Sequence, residues 1–181
     1  AAATFAYMSK LYQGQPAING IARAWLAKCY TQLNWLYEAE DVIRNMSRDS
    51  IDYRAQREWN ATMANYYLKS GELEKAVPYL KSTIKKEKRK LQKAREWYIM
   101  GQVQTTMENR DAAFKAYKKV IAQNPPYELE FNARIAQTEV MAKGNAKKMI
   151  SKLKRMAASD NNKDYLDQVY YAIGNIYLMQ N

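Results

Sequence analysis

Cys29 is the one thiol in this 181-residue chain, and the chain has no histidine to activate it. A nucleophilic thiolate needs an adjacent base or a positive field. Free cysteine is otherwise among the most buried residue types, so Cys29 reads as inert and buried. The missing histidine also removes His-centred acid–base catalysis and the common His-containing zinc sites. A single cysteine forms no intrachain disulfide and leaves the redox compartment open. The sequence holds no glycine-rich phosphate loop and no run of metal-ligating types. The carboxylates of Glu38, Glu40 and Asp41 open a helix, where they complement its dipole. This inventory points away from an enzyme and implies no cofactor.

Charge and aromatic rings remain as recognition chemistry. The formal net charge is +11. Residues 1–80 hold nine basic and eight acidic groups, whereas residues 81–181 hold twenty and ten. The densest run is Lys85-Lys86-Glu87-Lys88-Arg89-Lys90. Further clusters are Lys115, Lys118 and Lys119, then Lys147, Lys148, Lys152, Lys154 and Arg155. Such a field attracts acidic proteins, anionic lipid headgroups or nucleic acid. The aromatics are not interleaved with the basic run, and no nucleic-acid motif is present. A solvated helix face is therefore the first reading, an acidic protein or membrane surface the second and nucleic acid the last. Most of the 15 tyrosines and 4 tryptophans recur at packing intervals, so Tyr30, Tyr67, Trp97, Tyr117, Tyr170 and Tyr177 are expected in the core.

The elements that carry these residues are helices. Only 6 glycines and 4 prolines leave little room for many short strands. Hydrophobic content of 48% with 26% charged residues suits a folded chain. No run of 18 apolar residues is present to span a membrane. Helices are expected at 1–13, 18–33, 35–47, 51–69, 72–86, 89–107, 110–123, 127–142, 145–158 and 163–179. Ser50 is the expected N-cap of the fourth, and Gly14-Gln15-Pro16 and Asn124-Pro125-Pro126 are breakers. Pro78 falls early enough in its helix to cost little, with a mild kink as the alternative.

These helices recur in pairs. Ala27, Ala64 and Gly101 stand 37 residues apart, and each is followed 12 residues later by Ala39, Ala76 or Ala113. Four residues further come the large side chains Ile43, Leu80 and Tyr117. Small residues at both closest-approach positions let two antiparallel helices touch, and the large one fills the gap beside them. A fourth unit is degenerate, with Gln137 and Met149 at the small positions and Leu153 at the large one. A fifth begins with Tyr170-x2-Ile173-Gly174-x2-Tyr177.

Trp97-x2-Met100-Gly101, Ala113-x3-Tyr117 and Pro125 match the tetratricopeptide repeat (TPR) signature, and the chain resembles that family over nearly its whole length. The resemblance implies an all-α, right-handed α-α superhelix of about ten antiparallel helices, a fragment of a longer array. Residues 1–181 then form one array: an orphan helix B at 1–16, repeats at 20–56, 57–93 and 94–129, a degenerate repeat at 130–166, and helix A of a fifth at 167–181. The period exceeds the common 34 by three residues, nearly one turn, so helix B or the next helix A is expected to be longer. TPR grooves bind protein or peptide partners through fixed positions of each helix A. The resemblance places Lys28, Asn65, Lys69, Arg95, Tyr98, Gln102, Arg134, Tyr171 and Asn175 there, with Leu178 and Met179 at an apolar end. Tyr98 and Tyr171 stand out as aromatic groove residues. The carboxylate clamp of chaperone-binding TPRs is not matched, because Ala24 and Ile99 replace two of its polar positions.

A narrower likeness lies in Phe5-Ala6-Tyr7-Met8-Ser9-Lys10-Leu11-Tyr12, Ala24-Trp25-Leu26-Ala27-Lys28-Cys29-Tyr30 and Trp35-Leu36-Tyr37-Glu38-Ala39-Glu40. These stretches resemble the long-repeat TPR lipoproteins of Bacteroidota, including gliding-motility and type IX secretion lipoproteins. That resemblance implies a periplasmic scaffold tethered to the outer membrane by a lipid-bearing cysteine upstream. A cytosolic TPR adaptor is the alternative.

Overall fold

A computed structural model describes residues 1–47 and 51–180. It is all-α, with ten α-helices packed in successive pairs and one short 3-10 segment among the described residues. In chain order these are α1 (Ala2–Leu11), α2 (Pro16–Gln32), α3 (Leu36–Ser47), α4 (Gln56–Lys69) and α5 (Leu73–Lys86). They continue as α6 (Lys90–Thr106), α7 (Arg110–Ile121), α8 (Tyr127–Val140), α9 (Ala146–Ala157) and α10 (Leu166–Leu178), with the 3-10 helix at Asp160–Tyr165. Two compact units result, Ala1–Lys86 and Glu87–Asn181.

In the first unit α2 packs on α1, α3 and α4, and α4 pairs with α5. Ala24, Ala27 and Ala39 are fully buried and share one cluster with Ile43, Trp59 and Met63. Methyl side chains at these positions bring the helix axes close enough for Thr62 Oγ1 to reach the Ala24 carbonyl, at 3.0 Å across α4 and α2. In the second unit α6 pairs with α7, α7 with α8, and α9 with α10. Ala113, Tyr117 and Val120 of α7 pack there with Ala94, Ala133 and Val140. The α8–α9 pairing is looser than the other hairpins. Gln137, a long polar side chain at a contact position, is buried and donates to the Phe114 carbonyl of α7 at 3.4 Å.

The repeat is written in the backbone as well. Asn34, Gly71 and Glu108 each close a helix A in the left-handed region, with φ of 62°, 78° and 59°. Each stands seven residues after its small anchor. Beyond each turn a backbone N–H reaches back five residues: Trp35 to Tyr30, Glu72 to Tyr67, and Asn109 to Gln104. That bond is the signature of a Schellman cap, which satisfies an otherwise orphaned carbonyl. In the degenerate unit Gly144 is also left-handed, with φ of 84°, but it lies beyond the end of α8 at Val140, and Asn145 N–H reaches back only three residues to the Ala142 carbonyl.

Four expectations change. The fourth helix begins at Gln56 rather than Ile51, because Asp52 folds the preceding segment into a turn. Its carboxylate accepts from the Arg54 backbone N–H at 2.9 Å and from the guanidinium at 3.0 Å, a local competitor to helix. In the first period α4 is thus not lengthened at its start, and it spans 14 residues. The last helix starts at Leu166 rather than 163, after the 3-10 segment. Cys29 is half-buried rather than enclosed. Tyr170 and Tyr177 are 60% and 51% exposed rather than in the core, because no helix covers that side of α10 among the described residues. The expected cap Ser50 lies outside the described residues. Pro78 stands exposed as the sixth residue of α5, and the helix continues through it.

Candidate functional site

The nine residues expected in the groove fall into two sets, one in each unit. In the first unit Lys28 lies on α2, and Asn65 and Lys69 on α4. Lys28 Nζ stands 4.4 Å from the centre of the Trp25 ring, which itself stacks on Phe5 at 5.9 Å. The ammonium is thus held by a cation–π contact. Asn65 Oδ1 accepts from Gln32 Nε2 at 3.2 Å, tying α4 to α2. Its Nδ2 is shielded from solvent and has no acceptor among the described residues. Lys69 is exposed.

In the second unit Arg95, Tyr98 and Gln102 lie on α6. A repeat of about four residues places Leu91, Arg95, Ile99, Gln102 and Thr106 on one side of the helix, and all five are exposed. Tyr98 turns inward, and its ring meets Tyr117 edge-on at 5.6 Å. Burial pushes the Tyr98 hydroxyl above the usual tyrosine range, and the charge of Glu139 adds to the effect. Arg134 on α8 is exposed and paired with Glu130, its Nε donating at 2.9 Å. Tyr171 on α10 is 73% exposed. Asn175 Nδ2 donates to Glu139 Oε1 at 3.2 Å, joining α10 to α8. Asn65 and Asn175 therefore act as ties between neighbouring helices A. Arg95, Gln102 and Tyr171 present free surface.

The same unit contains a cavity of about 470 Å³. Tyr117, Ala136, Val140 and Met179 supply its apolar lining. Glu139 and Asn175 line it together with Thr105, whose Oγ1 is 3.3 Å from the Tyr117 hydroxyl. Glu108, Arg110 and Lys143 complete it, all three exposed. Burial is the larger influence on Glu139 and raises its carboxyl above the ordinary range, while the Asn175 hydrogen bond works the other way. Of these residues the sequence places Asn175 in the groove, Met179 at its apolar end and Tyr117 in the core, and it does not single out Glu139. The sequence offers little signal for Glu139, because α8 also carries Glu128, Glu130 and Arg134.

The basic clusters are exposed, as a solvated face requires, with one exception. Lys152 is half-buried, and burial first, then Arg134 and Arg155, lowers its ammonium below the usual lysine range. Lys119 Nζ lies 4.1 Å from the Trp97 ring centre. Inside the densest run, Glu87 is buried and accepts from the Arg89 backbone N–H at 2.8 Å. No helix of the described residues is long and apolar enough to cross a membrane.

Residues 94–127 match the model of the tetratricopeptide repeat, a stretch that holds most of α6 and all of α7. This part of the chain is a TPR, and the paired helices around it are consistent with a TPR array. Repeats of this kind make protein-interaction surfaces and are typically non-catalytic. Comparison with curated proteins gives no match.

Proposed function

We propose that the chain is a non-catalytic scaffold that binds a helix or an extended peptide on the faces of its helices A. The supporting observation is the stripe Leu91, Arg95, Ile99, Gln102 and Thr106, exposed on helix A of the matched repeat. A mixed stripe of aliphatic, cationic and amide groups offers an amphipathic segment both apolar area and hydrogen bonds. Arg134 and Tyr171 extend the candidate surface within the second unit, and Lys28 and Lys69 are separate candidates on the helices A of the first. Changing Arg95, Gln102 and Tyr171 together to alanine should abolish partner binding while leaving the far-ultraviolet circular dichroism unchanged. Undiminished binding by that variant would reject the groove assignment.

The setting we propose is the periplasm, with the full-length protein tethered to the outer membrane by a lipid-bearing cysteine upstream. Its support is the resemblance of residues 5–12, 24–30 and 35–40 to long-repeat envelope lipoproteins. Metabolic labelling of the full-length protein with a radioactive fatty acid tests it. Label in the outer-membrane fraction supports the tether, and an unlabelled cytosolic protein favours the adaptor alternative.

A further inference from the structure

The cavity walled by Tyr117, Val140 and Met179 has a half-buried carboxylate within it, and that combination selects a class of guest. We infer that it receives a cationic side chain, lysine or arginine, of the bound partner, with Glu139 as counter-ion. This deepens the reading of the chain as a protein-binding array and rests on it.

Three features of the cavity agree on charge and shape. Glu139 spends one hydrogen bond on the neutral Asn175 amide at 3.2 Å, whereas a carboxylate has about four acceptor sites. No cation stands within ion-pair distance of it among the described residues. A partly desolvated carboxylate gains most from a charge-assisted donor. Beside it, the Tyr117 ring and the aliphatic groups of Ala136, Val140 and Met179 suit a guest with an apolar stem and a charged tip. About 470 Å³ holds one such side chain with room for water.

The opposite guest, an anion, fits less well. Arg110 and Lys143 line the cavity, but both are exposed, so solvent and salt screen them strongly. An anion at this depth would lie against Glu139, whose charge is screened less. Glu108 is exposed too and offsets one of the two cations.

The experiment follows the Glu139 side-chain carboxyl by carbon-13 NMR while N-acetyl-arginine amide is added to the whole chain. A saturable shift with a dissociation constant on the order of 1–10 mM is expected for one isolated side chain. The neutral citrulline analogue should leave the resonance in place. E139Q should weaken arginine binding about tenfold or more, followed through the Tyr117 ring resonances. Equal binding of citrulline, retention of affinity in E139Q, binding of N-acetyl-glutamate in place of arginine, or no saturable shift would each overturn the proposal. The unsubstituted chain discriminates arginine from citrulline without any variant, so poor folding of E139Q would not blunt the test. A failed probe with partner binding still sensitive to Arg95, Gln102 and Tyr171 rejects the cation pocket alone. Loss of that sensitivity rejects the groove reading instead.

Discussion

Gly101 and Gly174 hold the same position of their repeats, 73 residues apart, yet a methyl group added at each meets opposite surroundings. A Cβ on Gly101 would lie 2.5 Å from Cε1 of Tyr117, a ring that is 3% exposed and has nowhere to go. A Cβ on Gly174 would meet nothing within 4 Å. G101A should therefore lose about 1–3 kcal/mol through overpacking. G174A should gain about 0.5–1 kcal/mol from helix propensity. Urea unfolding of both variants checks the pair, and a shared sign would contradict the assigned packing. At this scale the sequence was legible only in part. It marked both glycines as close-approach residues, but whether a neighbour approaches is a property of the surroundings. Tyr170 and Tyr177 misled for the same reason: their spacing is that of packing residues on a side of α10 that no described helix covers.

Glu139 yields a pH prediction at the same scale. Burial raises its carboxyl above the ordinary value of 4.5. Between the unfolded and folded values the native state binds more protons, so its contribution to stability is complete below about pH 4.5 and is lost as pH rises through the raised value. The groups around it are Tyr98, Tyr117, Glu108, Arg110 and Lys143, and the cations among them are exposed. E139Q should consequently be more stable than the parent at pH 7, with the gain vanishing near pH 4. Thermal unfolding at both pH values checks it, and a variant less stable at pH 7 would show that the ionised group is already well compensated.

At the scale of elements, the hairpin is defined as much by its turn as by its core. The small-residue ladder Ala27, Ala39, Ala64, Ala76, Gly101 and Ala113 was legible because closest-approach positions tolerate few side chains. The left-handed turn residue seven positions later is not legible in the sequence. Asn34, Gly71 and Glu108 share no side-chain chemistry, and only their backbone geometry is common. Glu108 pays a strain there that glycine does not, so E108G should stabilise the chain by up to about 1 kcal/mol, while G71A should cost about 1 kcal/mol or more. Calorimetric melting of the two variants should move in opposite directions. A downward shift for E108G would indicate that its side chain contributes contacts outweighing the strain. Helix starts were the least legible feature, since Asp52 and Arg54 build a turn where amphipathic periodicity alone would continue α4.

At the scale of the whole molecule, two kinds of surface compete for the role of interface. The lysines of α7 and, Lys152 apart, those of α9 are exposed and numerous, and they explain the charge without requiring a partner. The stripe on α6 is smaller, mixed in character and lies on helix A of the matched repeat. The TPR register singles out Arg95 and Gln102 of this stripe but not Leu91 or Thr106, and it does not separate Gln102, which faces solvent, from Asn65 and Asn175, which are bonded to neighbouring helices. The central claim is that partners bind on the helix-A side. Site-specific photocrosslinking of the full-length protein in living cells decides it, with a photoreactive residue at Gln102 on α6 or, separately, at Lys118 on α7. A discrete protein adduct from position 102 and little or none from position 118 is the expected result. Adducts of equal strength from both positions, or from position 118 alone, would contradict the claim.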